Sequence, residues 1–125
     1  MCNDVLHDLR QKLDALIPTL EQAAREVAAL LQQGNLQRGL SGLQEVLEAL
    51  QSFHEGLDVL VEADDGASHS IKFSGLRQKL NQVYPPVFAA LEANDMVTLA
   101  DILEYELAET FAQYKGHGES SWQIQ

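Results

Sequence analysis

The sequence has 125 residues, 46% of them hydrophobic, enough for one domain that buries roughly two-thirds of its unfolded surface without a staple. Nineteen acids against eight bases give a formal charge of −11, which argues against nucleic acid and anionic membranes as partners, because both bind basic faces through phosphate neutralisation. The lone cysteine, Cys2, excludes an internal disulfide, and neither a run of ~20 apolar residues nor a basic-then-apolar leader is present, so a cytoplasmic location is expected.

Apolar residues recur at three- and four-residue spacing through Leu6, Leu9, Leu13, Ile17, Leu20, Ala24, Val27 and Leu31, one face of a long amphipathic helix. Pro18 predicts a mild disturbance within it. Gly34-Asn35 supplies a glycine for the left-handed terminus and an Asn to cap the next helix. The second helix is predicted over about 35–62, with the stripe Leu36, Leu40, Leu43, Leu47, Leu50, Leu57 and Val61. The polar stretch 63–69 separates it from a third helix, which Ser70 is placed to cap and whose face reads Phe73, Leu76, Leu80, Val83, Tyr84, Val87 and Leu91.

Pro85-Pro86 removes two backbone donors and disfavours helical dihedrals at Tyr84, which predicts a kink or a break dividing 70–84 from 86–93. Tyr84 and Phe88 beside that break are candidates to line a groove. Asn94-Asp95 repeats the corner chemistry, and the fourth helix reads Met96, Leu99, Leu103, Leu107, Thr110, Phe111 and Tyr114 up to Gly116. The bundle domain is thus expected over 1–116, with a C-terminal tail of 117–125 whose Trp122 and Ile124 are suited to docking. At an offset of sixty, Leu16, Leu20, Gln22, Val27, Ala29, Leu31, Leu43 and Leu47 recur as Leu76, Leu80, Gln82, Val87, Ala89, Leu91, Leu103 and Leu107. The fold class expected is all-α: an antiparallel up-and-down four-helix bundle, with two similar helical hairpins as a possible origin.

A 100° projection of the second helix puts His54 between Leu50 and Leu57, in the centre of the apolar stripe, where an imidazole needs a hydrogen-bond partner. The same projection puts Tyr114 on the core stripe of the fourth helix and Glu106 at its margin. His54, Glu106 and Tyr114 are therefore the candidate inter-helix pocket. The plainer reading makes His54 a structural histidine and pairs Glu106 with Arg77 or Lys79. No Glu-x-x-His pair is present, Asp4-x-x-His7 being the nearest approach, and the histidine and cysteine spacings fit no common zinc site, so no metal or other cofactor is expected. Cys2 and Ser41, Ser52 and Ser74 have no basic partner or nucleophile elbow nearby, and no catalytic residue is assigned. Gly39 and Gly42 lie inside the second helix, where they permit close approach of a neighbour.

The segment Leu91-Glu92-Ala93-Asn94-Asp95-Met96-Val97-Thr98-Leu99-Ala100-Asp101-Ile102-Leu103-Glu104-Tyr105-Glu106-Leu107 resembles a pattern found in small uncharacterised bacterial helical-bundle proteins. The resemblance implies bacterial origin and a helical fold and carries no catalytic residue. It draws attention to Asp101, Tyr105 and Glu106, of which Asp101 and Tyr105 share the outward face. With Tyr84 and Trp122 those two are the candidate partner-binding residues. By elimination the expected function is a non-enzymatic adaptor or chaperone-like bundle that offers a groove or helix face to a protein partner, a second copy included. The alternative is a small-molecule-binding or enzymatic bundle with a pocket around His54.

Overall fold

The computed structural model of the protein describes the backbone of residues 2–63 and 68–114, and the side chains of 5–63 and 72–114. The chain is an all-α bundle of four rods. Three are single helices: α1 (Cys2–Gln32), α2 (Leu36–Ala63) and α3 (Ser68–Glu92). The fourth is composite: α4 (Met96–Asp101) runs without a gap into a π-helical segment (Ile102–Leu107) and then α5 (Ala108–Tyr114). Trp122, Ile124 and the whole expected tail 117–125 lie outside the described residues, as does the centre of the 63–69 stretch.

Buried positions alternate at spacings of four and three: Leu13, Ile17, Leu20, Ala24, Val27 and Leu31 on α1, Gly39, Leu43, Val46, Leu50, Phe53, Leu57 and Leu60 on α2, and Phe73, Leu76, Leu80, Val83, Val87 and Ala90 on α3. This is the 3.5-residue repeat of coiled-coil packing, and it keeps each stripe facing its neighbours over many turns. α1 lies between α2 and the fourth rod, and α3 lies across from α1, between the same two. Phe53 and Phe111 meet across the bundle, rings edge to face with centroids 5.6 Å apart. Small residues let α1 and α2 close up: a methyl group on Gly39 would stand 2.7 Å from Leu31 Cδ2, and one on Gly42 3.1 Å from Val27 Cγ2. Both glycines therefore have the close-approach role their position suggests.

The two tight corners are built alike. Gly34 (φ 81°) ends α1 and Asn94 (φ 56°) ends α3, each in the left-handed region that these two residue types tolerate best. Asn35 N–H donates to Leu30 O at 2.9 Å and Gly34 N–H to Leu31 O at 3.1 Å; sixty residues on, Asp95 N–H donates to Ala90 O at 2.9 Å and Asn94 N–H to Leu91 O at 3.1 Å. Both are Schellman caps. Asp95 adds a side-chain cap, accepting from Thr98 N–H at 3.1 Å and from its hydroxyl at 2.7 Å. Those two bonds hold the Asp95 carboxyl below its ordinary range, with the hydroxyl bond the larger cause.

Three expectations need correction. Of the kink or break expected at Pro85-Pro86, the break is absent: α3 runs through both prolines to Glu92. Each proline removes a donor to the carbonyl four residues earlier, but those belong to Asn81 and Gln82, which are exposed, so solvent is in reach to offset the lost bonds. Pro18 is accommodated within α1 in the same way. Ser70 does not precede α3, which already begins at Ser68. The α2 stripe is also rotated relative to expectation: Leu36 and Leu40 are exposed, while Val46, Phe53 and Leu60 are core.

Candidate functional site

The same rotation moves His54 off the core. Phe53 takes the interior position, and His54, Leu40, Leu47 and Val61 form the adjoining column of α2, seven residues apart and flanking α3. Between this column and α3 lies a groove of about 470 Å³, its walls including Leu47, Leu50 and His54 from α2 and Tyr84 and Phe88 from α3. Gln44, Glu48, Gln51 and Glu55 also line it, on the α2 side. Phe88 is 49% exposed, an unusual state for a phenylalanine on a helix that packs in a bundle.

On the other side of the molecule α1 packs along the whole fourth rod. Sixty residues before Tyr84 and Phe88 stand Ala24 and Ala28, both buried. Facing α1, the fourth rod carries buried Ala100 sixty residues after Leu40, and buried Ala108 sixty-one after Leu47, the additional residue being absorbed by the π segment. Four alanines allow α1 and the fourth rod to approach closely, and the seam is then laced by Arg25 to Glu109 at 3.3 Å and Gln32 to Glu104 at 2.8 Å. Where α1 has the small buried Ala24 and Ala28, α3 has Tyr84 and Phe88 sixty residues on, and these two larger side chains line the groove with Leu47 of α2.

At one end of the groove His54 Nδ1 lies 3.2 Å from Tyr84 Oη, with ring centroids 5.6 Å apart. His54 Nε2 is 3.6 Å from Asp58 Oδ1, too long for a hydrogen bond, and the same oxygen accepts from Arg77 Nη1 at 3.0 Å. Burial, with a smaller contribution from the Asp58 charge, pushes the Tyr84 hydroxyl up to about 12, so it remains a neutral phenol at physiological pH. Asp58 is matched by Arg77. This chain of groups can orient a polar atom at the groove mouth, and its phenol is not set up as a nucleophile.

The other predicted site residues are placed elsewhere. Glu106 and Tyr114 do not join His54, because α2 and the fourth rod are diagonal across the bundle. Glu106 is exposed, and its backbone carbonyl accepts from the Thr110 hydroxyl at 2.6 Å. The expected Glu106 pairing is replaced by Asp58 with Arg77. Tyr114 packs its hydroxyl against Gly75, where an added methyl would meet it at 2.8 Å. Asp101 and Tyr105 are exposed, as the projection predicts, together with Val97. Tyr84, by contrast, is the true neighbour of His54. Glu48 and Glu55 were not singled out by sequence, although their seven-residue spacing beside the Leu40-Leu47-His54 column was there to be read.

Among the described residues no three potential metal ligands cluster, and no helix is long and apolar enough to cross a membrane. No curated protein and no solved structure matches the chain. A family model described as a domain of unknown function (DUF8042) matches residues 8–117, a span that takes in α1 from its seventh residue, the other three rods and the groove, and the chain belongs to that family.

Proposed function

We propose that the protein is a non-enzymatic adaptor of the cytoplasm that receives a helical segment of a protein partner in the α2–α3 groove. The observation that carries this reading is the pair Tyr84 and Phe88 where α1 has Ala24 and Ala28: large apolar side chains line a furrow, and Phe88 is left half in water. Apolar furrows between helices suit an amphipathic helix, which supplies the third side of the packing. Affinity capture from the native host with the wild-type chain, F88D, L47D and V97D tests it. The expected outcome is a partner retained by wild type and by V97D, whose site is on the far-facing fourth rod, and lost by both groove variants. Loss in V97D with retention in F88D transfers the function to the Val97-Asp101-Tyr105 face.

A small-molecule reading has one observation in its favour, the His54–Tyr84 hydrogen bond within a groove of ligand size. A melting-temperature screen against metabolites, in which a positive shift disappears in H54L, would favour it over the adaptor.

A further inference from the structure

We infer that the occupant of the α2–α3 groove is a basic amphipathic helix with its Lys or Arg residues seven apart along one flank only; the inference rests on the adaptor reading above. The groove's two walls differ in charge. The α2 wall carries Glu48 and Glu55, both exposed, on the same side of the helix and separated by seven residues, or about 10 Å of helix rise. The α3 wall is Tyr84 and Phe88, without an ionised group. Arg77, which shares Asp58 with the His54 end of the groove, is already paired with that carboxylate. A helix lying in the furrow therefore meets two carboxylates on its α2 side and two aromatic faces on its α3 side.

Its apolar stripe seats on Leu47, Leu50 and Phe88. Basic residues two turns apart reach Glu48 and Glu55, and the flank toward α3 is neutral or aromatic. The net charge of −11 adds attraction at longer range and disfavours a second copy of this chain as the occupant, since two such molecules repel.

The test uses fluorescein-labelled peptides of about five helical turns, a leucine stripe flanked on one side by lysines seven apart, and a counterpart with glutamates in their place, with anisotropy as readout. The full-length chain should bind the lysine peptide saturably and the glutamate peptide far more weakly. E48Q/E55Q should weaken the lysine peptide roughly threefold to tenfold at low salt, as expected for two exposed ion pairs, while D8N, a control at an exposed carboxylate of α1, leaves it unchanged. F88S should abolish binding of either peptide, with circular dichroism confirming that each variant is folded. Binding unchanged in E48Q/E55Q but lost in F88S overturns the charge assignment and leaves the adaptor reading standing. Binding unchanged in F88S overturns both. Equal weakening by D8N and E48Q/E55Q reduces the effect to general attraction and overturns the inference. So does a tenfold gain in peptide affinity on deleting residues 117–125, which would make that segment the occupant, or concentration-dependent self-association that F88S abolishes, which would make it a second copy.

Discussion

Phe53 and His54 are adjacent in sequence and differ in what the fold asks of them. Phe53 is 1% exposed and rests edge to face on Phe111, so Phe53→Ala removes a full aromatic side chain from a site that cannot collapse, with an expected cost of about 3–5 kcal/mol in urea unfolding. His54→Ala, at the groove wall, should cost less than about 1 kcal/mol. A reversal of that order would place the imidazole in the core after all. The sequence leaves this choice open for a definite reason. On α2 the positions Leu43, Leu50 and Leu57 are shared by two interleaved stripes, one completed by Gly39, Val46, Phe53 and Leu60, the other by Leu40, Leu47, His54 and Val61. A projection at 100° per residue also drifts about 20° per heptad from the 3.5-residue repeat that the bundle adopts. Only the neighbours decide, and Gly39 decides here by letting α1 approach.

Tyr84 offers a second check at this scale. Its folded-state pKa lies above the ordinary value of 10.0, because burial favours the neutral phenol. The stability it contributes is therefore complete below pH 10 and is lost as pH rises toward about 12. Urea midpoints measured up that range should fall more steeply for wild type than for Tyr84→Phe; parallel curves would mean that the hydroxyl is solvated.

At the scale of elements, the π segment explains how the fourth rod stays in register. Its core residues Leu99, Leu103, Leu107 and Phe111 are spaced by four throughout, whereas Gly39, Leu43, Val46 and Leu50 of α2 alternate four and three. An α-helix with uniform fours would rotate its stripe out of the core; the wide turn at Ile102–Leu107 takes up one residue and turns it back. Deleting the exposed Tyr105 should thus leave spacings of four, three and four, convert the segment to α-helix and keep the bundle folded, with a melting temperature equal to or above that of wild type. Cooperative unfolding lost in this variant would contradict the register argument. The stripes of α1 and the fourth rod, the corners and the Asp95 cap were legible from periodicity and from Gly, Asn and Asp, whereas the α2 stripe was not. The π turn was not, because run-on fours also read as an ordinary amphipathic face over so short a stretch. The continuity of α3 through Pro85-Pro86 was not legible for a different reason: the penalty for a proline inside a helix depends on whether the orphaned carbonyls can find water, and that is settled by which face the preceding turn presents.

For the molecule as a whole, charge and shape should respond to salt in opposite senses. Nineteen acids on a chain of this size repel one another, and among the described residues the ion pairs that offset this include Asp14 with Lys72, Asp58 with Arg77, and Glu21 and Glu109 with the same Arg25. Added salt shortens the Debye length from about 30 Å at 0.01 M to about 8 Å at 0.15 M, which screens repulsion across a small domain and should raise the urea midpoint of the free protein. The same screening weakens the attraction of Glu48 and Glu55 for a basic helix while leaving the seating on Leu47 and Phe88 intact. Across that range the fold should become more stable as the lysine peptide binds less tightly, and in E48Q/E55Q the second trend should flatten while the first persists. If midpoint and affinity instead rise together, the furrow is read through its apolar floor alone and the carboxylates at its edge serve solubility.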